Sequence, residues 1–336
     1  MKKIFLILIL ILIVLFAWTG LSMFLEYTRT TSSDQPVIVE IPQGASEAKI
    51  AEILKEKGVV DYEITFRLKM LISEHRGKLN YGKFLLYKDM KIEDAIEILA
   101  TPMQQKQGVK LTVPEGYSAE MIAARCEELG ICSKEAFLNE LATGTFEHSF
   151  INDIPKNENV KYKLQGYLFP STYMFEIDTP AHDVIDTLLS EFAIQYNKVK
   201  HNLPAGMTMA EAINRAALIE REAKLDNERA MISGVIKNRI KKGMLLQIDA
   251  SVVYVISDGL YNVGRVLYKD LETDSLYNTY KYVGLPVGPI CNPGIESIEA
   301  AMTPAEHNYL FYHTDTNKND GSHIFTETFN QHKAGL

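Results

Sequence analysis

The chain has 336 residues, 46% of them hydrophobic, and a formal charge of −8. That length supports more than one compact unit, and an acidic soluble part argues against nucleic acid as a partner. Cys126, Cys132 and Cys291 make neither a zinc pattern nor a complete disulfide framework. With no Gly-rich phosphate loop either, no metal and no cofactor is expected.

The N-terminus carries the first physical signal. Ile4 to Leu25 is a charge-free run of 22 residues, long enough to cross a bilayer as a helix. Lys2 and Lys3 precede it, so the positive-inside bias makes residues 1–3 a cytoplasmic stub and puts everything after residue 26 outside. No clear small-x-small cleavage site follows, which points to an uncleaved single-pass anchor in the cell membrane. Residues 26–36 read as a polar tether.

The chain then repeats itself. "VIVEIPQGASEAKIAEILKEKGVV" begins at Val37 and "VKLTVPEGYSAEMIAARCEELGIC" at Val109, an offset of 72. In each copy a short alternating strand enters a Pro-x-Gly turn. Ser46 or Ser118 caps a helix, and Gly58 or Gly130 ends it. After the first copy come a helix near Asp61–Glu74, a strand at Lys83–Tyr87 and a helix at Ile92–Leu99. The order strand, helix, helix, strand is that of a LysM-like sugar-binding domain over 37–105, although other small α+β domains share it.

Residues 106–336 form a second, mixed domain, so the expected fold class is α+β. "KYKLQGYLFPSTYMFE" (161–176) supplies aromatic side chains, Tyr167 among them, that suit a glycan groove if exposed and a core if not. In "MTMAEAINRAALIEREA" (207–223), Thr208 and Glu211 form a capping box. Met209, Ile213, Ala216 and Glu220 share one helix face, whereas Glu222 falls on the wetter side with Leu218 and Glu211. A carboxylate on an apolar face is paired or used. "DNERAMISGVIKNRIKKG" reads as a second helix, capped by Asp226 and ended by Gly243. "ASVVYVI" alternates like a strand, "GLPVGPICNPG" is a rigid turn-rich segment, and "YLFYHT" and "HIFTETF" are strand-like.

The series "AALIEREAKLDNERAMISGVIKNRIKKGMLLQIDASVVY", "YNTY", "GLPVGPICNPG" and "HIF" resembles the YceG-like (MltG) family of endolytic murein transglycosylases. The paired Pro-x-Gly-x-Ser units and the anchor extend the likeness over essentially the whole chain. The resemblance implies a membrane-anchored lyase that cuts the β-1,4 bond between N-acetylmuramic acid and N-acetylglucosamine in nascent peptidoglycan strands. It leaves 1,6-anhydro ends and works beside peptidoglycan synthases. It assigns the catalytic role to Glu220, the helix-borne glutamate. Substrate contacts fall to Gln247, Asp249, Tyr167, Asn278, Tyr280, Pro286 and Glu222. Val287, Gln165 and Ser171 depart from the family pattern, and the last two bear on substrate affinity.

On chemical grounds a lytic enzyme can work with one carboxyl. Glu220 first protonates the leaving oxygen and then deprotonates the muramic acid O6 hydroxyl. A raised pKa, supplied by an apolar surround, suits that role. A hydrolytic muramidase with Asp249 or Glu222 orienting water, and a non-catalytic peptidoglycan-binding scaffold, remain as alternatives.

Overall fold

The computed structural model describes residues 14, 17–101, 108–318 and 320–335. Most of the apolar run from Ile4 to Leu25 lies outside the described residues; its described end belongs to a helix over 17–27. Among the described residues, no helix is long and apolar enough to cross a membrane. The chain is a mixed α+β structure of helices and small sheets, as the sequence class implies. It divides into two compact units. One holds residues up to Val109 with Glu127–Ile131 and Met174–Asp178. The other holds Lys110–Cys126, Cys132–Tyr173 and Thr179–Leu336.

In the first unit β1 (Pro36–Ile41) leads to α1 (Glu47–Glu56), α2 (Glu63–Ile72), β2 (Gly82–Tyr87) and α3 (Ile92–Ala100). β1 and β2 pair antiparallel with Ile38 opposite Leu85. Leu54, Phe66, Met70, Leu86 and Leu99 fill the core between strands and helices. Ser46 caps α1 by accepting from the Lys49 N–H at 3.2 Å.

The tether expected at 26–36 is docked rather than free. Glu26 is 2% exposed. Its carboxylate accepts from the Asp61 and Tyr62 N–H groups and from the Thr65 hydroxyl (2.6 Å). These donors sit at the start of α2, where Tyr62 supplies no side-chain cap of its own, and a helix N-terminus favours negative charge. Arg29 adds an ion pair to Asp61 at 2.7 Å.

The strand-turn-helix module recurs. In its second copy β3 (Gly108–Thr112), which pairs with β4 (Thr172–Glu176), leads into α4 (Ala119–Glu128). Gly44 and Gly116 hold φ of 76° and 77° at equivalent points of the two turns, a conformation glycine adopts without strain. Ser118 accepts from the Met121 N–H at 3.1 Å, as Ser46 does in the first copy. α5 (Lys134–Thr143) and α6 (Ala181–Val199) follow.

The centre of this unit is α7 (Met209–Glu222), started by the expected capping box. The single-face reading fails here. Met209 and every residue from Ala212 to Ile219 are buried, because α8 (Arg229–Lys241) and α10 (Ile295–Met302) both pack against α7. Asp226 is not the cap of α8; it starts a 3-10 turn and pairs with Arg229 at 2.6 Å. Gly243 follows that helix with φ 66°.

"ASVVYVI" is helical, within α9 (Asp249–Ile256). The described strands pair off two by two, so a strand here lacks a partner, whereas a helix satisfies its own backbone. Tertiary burial of Val252 and Tyr254 overrides β-propensity. The two runs read as strand-like form β5 (Phe311–Thr314) and β6 (His323–Thr326), which pair antiparallel, and α11 (Phe329–Ala334) follows.

Glu26→Ala should destabilise the first unit by about 1–3 kcal/mol, because buried donors at the start of α2 lose their acceptor. Urea unfolding of the full chain in detergent reads this as a lowered midpoint of the first transition. An unmoved midpoint contradicts the capping role.

Candidate active site at the end of the buried helix

Glu220 lies in the last turn of α7, and its side chain is 7% exposed. Apolar surroundings alone do not hold it. One carboxylate oxygen accepts from the Gly294 N–H at 3.0 Å, and the other faces Arg229 Nη2 at 3.5 Å. Arg229 is itself fixed, since its Nε donates to Ser297 Oγ at 3.0 Å. Helix α7 thus presents Glu220 to the first residues of α8 and α10.

A second carboxyl, which sequence reasoning missed, joins this cluster. Glu115 sits in the Pro-x-Gly turn before α4, 3.8 Å from the same Arg229 Nη2. Partial burial, and then the Glu220 and Glu296 carboxylates, push the Glu115 carboxyl up from its ordinary value. A Cβ at Gly294 would overlap the Glu115 carboxylate, so the glycine of "NPG" makes room for the pair. The available signal was the repeat itself: Glu115 is the x of its second Pro-x-Gly.

Asn292 assembles the cluster. It is fully buried. Its Oδ1 accepts from the Gly166 and Leu168 N–H groups at 2.8 and 3.0 Å, and its Nδ2 donates to the Tyr117 carbonyl at 2.9 Å. Its backbone N–H and carbonyl pair with Tyr117 O and Gly116 N. One side chain therefore joins the turn carrying Glu115, the 166–168 loop and the loop carrying Gly294.

Glu222 does not lie on a wet side. It receives the Tyr312 hydroxyl at 2.7 Å. Burial pushes its carboxyl up, the Tyr312 hydrogen bond opposes this, and the Asp249 charge adds to the rise. Asp249 accepts from the Tyr280 hydroxyl. Its segment is laced to "YNTY": the Gln247 N–H donates to Thr279 O at 3.1 Å, and the Ile248 N–H to Thr279 Oγ1 at 2.9 Å. Gln247 is exposed and holds φ 52°, a left-handed conformation rare for a residue with a Cβ. Gln247, Asp249, Tyr280 and Glu222 thus form one group near the C-terminal end of α7.

Three expected contacts lie elsewhere. Asn278 is 1% exposed and spends its amide on the Leu271 and Thr273 carbonyls and the Tyr280 N–H, so it shapes the loop. Tyr167 is packed on Phe150 and Phe192, and Phe169, Tyr173 and Phe175 are equally core residues. Hydrophobic burial thus decides the ambiguous aromatic run. Pro286 borders a separate cavity around the start of α7. Gln165, which departs from the family pattern, is buried and bridges the Ala119 N–H (2.7 Å) and the Tyr254 hydroxyl (3.1 Å). That placement is architectural.

Among the described residues, no group of three His, Cys, Asp or Glu side chains is arranged to hold a metal ion. The model of the YceG-like family matches residues 39–336. The chain belongs to the YceG-like family. It is 34% identical over 311 residues to the endolytic murein transglycosylase of Bacillus subtilis (strain 168), covering 89% of this chain and 84% of that protein. The protein of the same name from Streptococcus pneumoniae (strain ATCC BAA-255 / R6) is 28% identical over 307 residues. There the match covers 84% of this chain but 55% of the relative. A crystal structure of a YceG-like protein from Listeria monocytogenes superposes with a TM-score of 0.61 at 30% identity, covering 90% of this chain and 99% of that one.

Two outcomes are expected. Asn292→Ala leaves several buried backbone groups unpaired and should cost about 3 kcal/mol or more, measured by chemical denaturation. The raised Glu222 carboxyl means that the native state holds this proton more tightly than the unfolded chain does. Stability is therefore lost as pH rises from the ordinary 4.5 through the native value. In Glu222→Gln that loss is gone, so the melting temperature of the variant relative to the parent should climb from about pH 4 to pH 8. A pH-independent difference rules this out.

Proposed function

We propose that this chain is a membrane-anchored peptidoglycan lytic transglycosylase. It cuts the β-1,4 bond between N-acetylmuramic acid and N-acetylglucosamine within nascent strands and leaves a 1,6-anhydro end. The observation that carries the reading is the Glu220 carboxyl, buried at a helix end and aimed by a backbone N–H and a guanidinium. The murein transglycosylase names of its relatives supply the substrate class.

The chemistry needs one proton to go out and come back. Glu220 gives a proton to the leaving O4 as the C1–O4 bond breaks. As carboxylate it then takes the proton of the muramic O6 hydroxyl while O6 bonds to C1. No water is consumed, and Glu220 ends as it began. Arg229 steadies the carboxylate between the two steps. Glu115, which keeps its proton to higher pH than an isolated carboxyl, stands beside it as a proton reserve. Gln247, Asp249 and Tyr280 hold the strand. The first unit grips glycan in the manner of a LysM domain, and the N-terminal run keeps the enzyme at the membrane beside peptidoglycan synthases.

Glu115 also favours a second reading. Two carboxyls on one site are what a hydrolase uses to activate water. Product mass separates the two, because an anhydro end is lighter than a reducing end by one water.

Digestion of purified sacculi by the full chain should yield anhydro products, and Glu220→Gln should cut turnover by about 10²–10⁴ with the fold intact. Full turnover by that variant ends the assignment. Glu115→Gln should weaken turnover and shift the alkaline limb of the pH profile to lower pH, because the reserve proton is gone. A profile that does not move removes Glu115 from the reaction.

A further inference from the structure

A second functional feature sits around the start of the same helix. A cavity of about 890 Å³ opens between the 154–163 segment, the start of α7 and the 285–289 loop, within the size range of small-ligand sites. Ile154, Pro155, Val160, Met207, Leu285 and Val287 make its walls largely aliphatic. Two side chains in the lining, Asn214 and Arg215, are buried and incompletely partnered.

Asn214 Nδ2 donates to the Pro286 carbonyl at 2.7 Å. A carbonyl only accepts, so the amide orientation is settled, and Oδ1 is left as an acceptor with no partner. Arg215 Nη1 donates to the Ala301 carbonyl at 3.3 Å, but Nε has no partner. Among the described residues, no carboxylate lies within ion-pair distance of Arg215. A buried acceptor and a buried donor left unmet each cost stability, and together they match the two ends of an amide.

We propose that this cavity binds the peptide stem of the glycan strand, an alanine-containing peptide with a terminal carboxylate. The inference rests on the peptidoglycan reading above. Asn214 Oδ1 accepts a peptide N–H, Arg215 donates to a peptide carbonyl or carboxylate, and the aliphatic walls take the methyl groups. Lys156, Lys163 and Arg215 against Glu158 and Glu211 leave the lining one positive charge in excess, which suits an acidic peptide.

A fatty acid offers Asn214 no N–H. A pyranose needs an aromatic face to stack on, and Tyr167, the sole aromatic in the lining, is 1% exposed. Glu220 lies five positions beyond Arg215 on α7, a rise of roughly 7.5 Å with about 140° of rotation between the two side chains. An extended pentapeptide spans about 17 Å, long enough to follow the helix round from the one to the other.

The test is calorimetry on the full-length Glu220→Gln chain in phospholipid nanodiscs, titrated with the soluble, net-acidic pentapeptide N-acetyl-L-Ala-D-isoGlu-L-Lys-D-Ala-D-Ala. The peptide should bind, and Arg215→Met should weaken binding by at least about tenfold. Lys163→Glu, at an exposed position that leaves the fold alone, should weaken it a few-fold. Chitotriose and decanoate are titrated in parallel. Binding of either without the peptide, or no peptide binding at all, overturns the proposal. In the active full chain, kcat/KM on stem-bearing strands should exceed that on amidase-stripped strands by about tenfold or more, and equal values also overturn it. Peptide binding without any turnover removes the catalytic assignment and leaves this site standing.

Discussion

The arrangement around Glu220 depends on Asn292. Its side chain is a two-sided connector, accepting from two backbone N–H groups of one loop and donating to a carbonyl of another. A buried amide with its hydrogen-bonding groups this fully engaged tolerates one geometry, because any shift leaves a group unpaired without water to replace it. Glu115, Gly294 and the loop after Lys163 are thereby fixed relative to α7. None of these segments has regular structure of its own at the contact. Precision at the site comes from hydrogen bonds between loops, and the buried helix supplies the rigid reference.

Helix α7 places two carboxyls at an unfavourable end. The C-terminal turn of a helix carries partial negative charge, and both Glu220 and Glu222 sit there. The fold offsets the two differently. Glu220 faces a guanidinium and the N–H of Gly294, the residue that caps α10. Glu222 faces the Tyr312 hydroxyl and the Asp249 carboxylate, and burial, with the Asp249 charge, pushes its carboxyl up against the opposing hydrogen bond. Two carboxyls two residues apart thus meet different partners, a guanidinium and a backbone N–H for one and a hydroxyl for the other.

The other part of the same helix is a different kind of place. Its polar groups lie among aliphatic walls rather than among charges. On the proposed function, a single rigid rod joins the carboxyl that moves the proton to the cavity that takes the peptide stem, and so couples where a strand is held to where it is cut. Their separation is set by helix geometry, the rise along the axis and the rotation around it.

Local order was readable from the chain. The duplicated strand, Pro-x-Gly turn and serine-capped helix recur as expected, because caps and left-handed glycines are decided within a few residues. The capping box of α7 and the closing hairpin are local in the same sense. The family motifs could be recognised at their positions, yet their side-chain roles could not. The "ASVVYVI" segment became a helix because, among the described residues, the strands pair off two by two and leave it no partner. The aromatic run became core, and Asn278 and Gln165 became loop braces, because burial and partners come from elements far away in sequence. Glu115 lies 105 residues before Glu220. Only the tertiary fold, acting through Arg229 and Asn292, brings it to the same guanidinium, since side-chain proximity across such a separation leaves no periodic trace in the sequence.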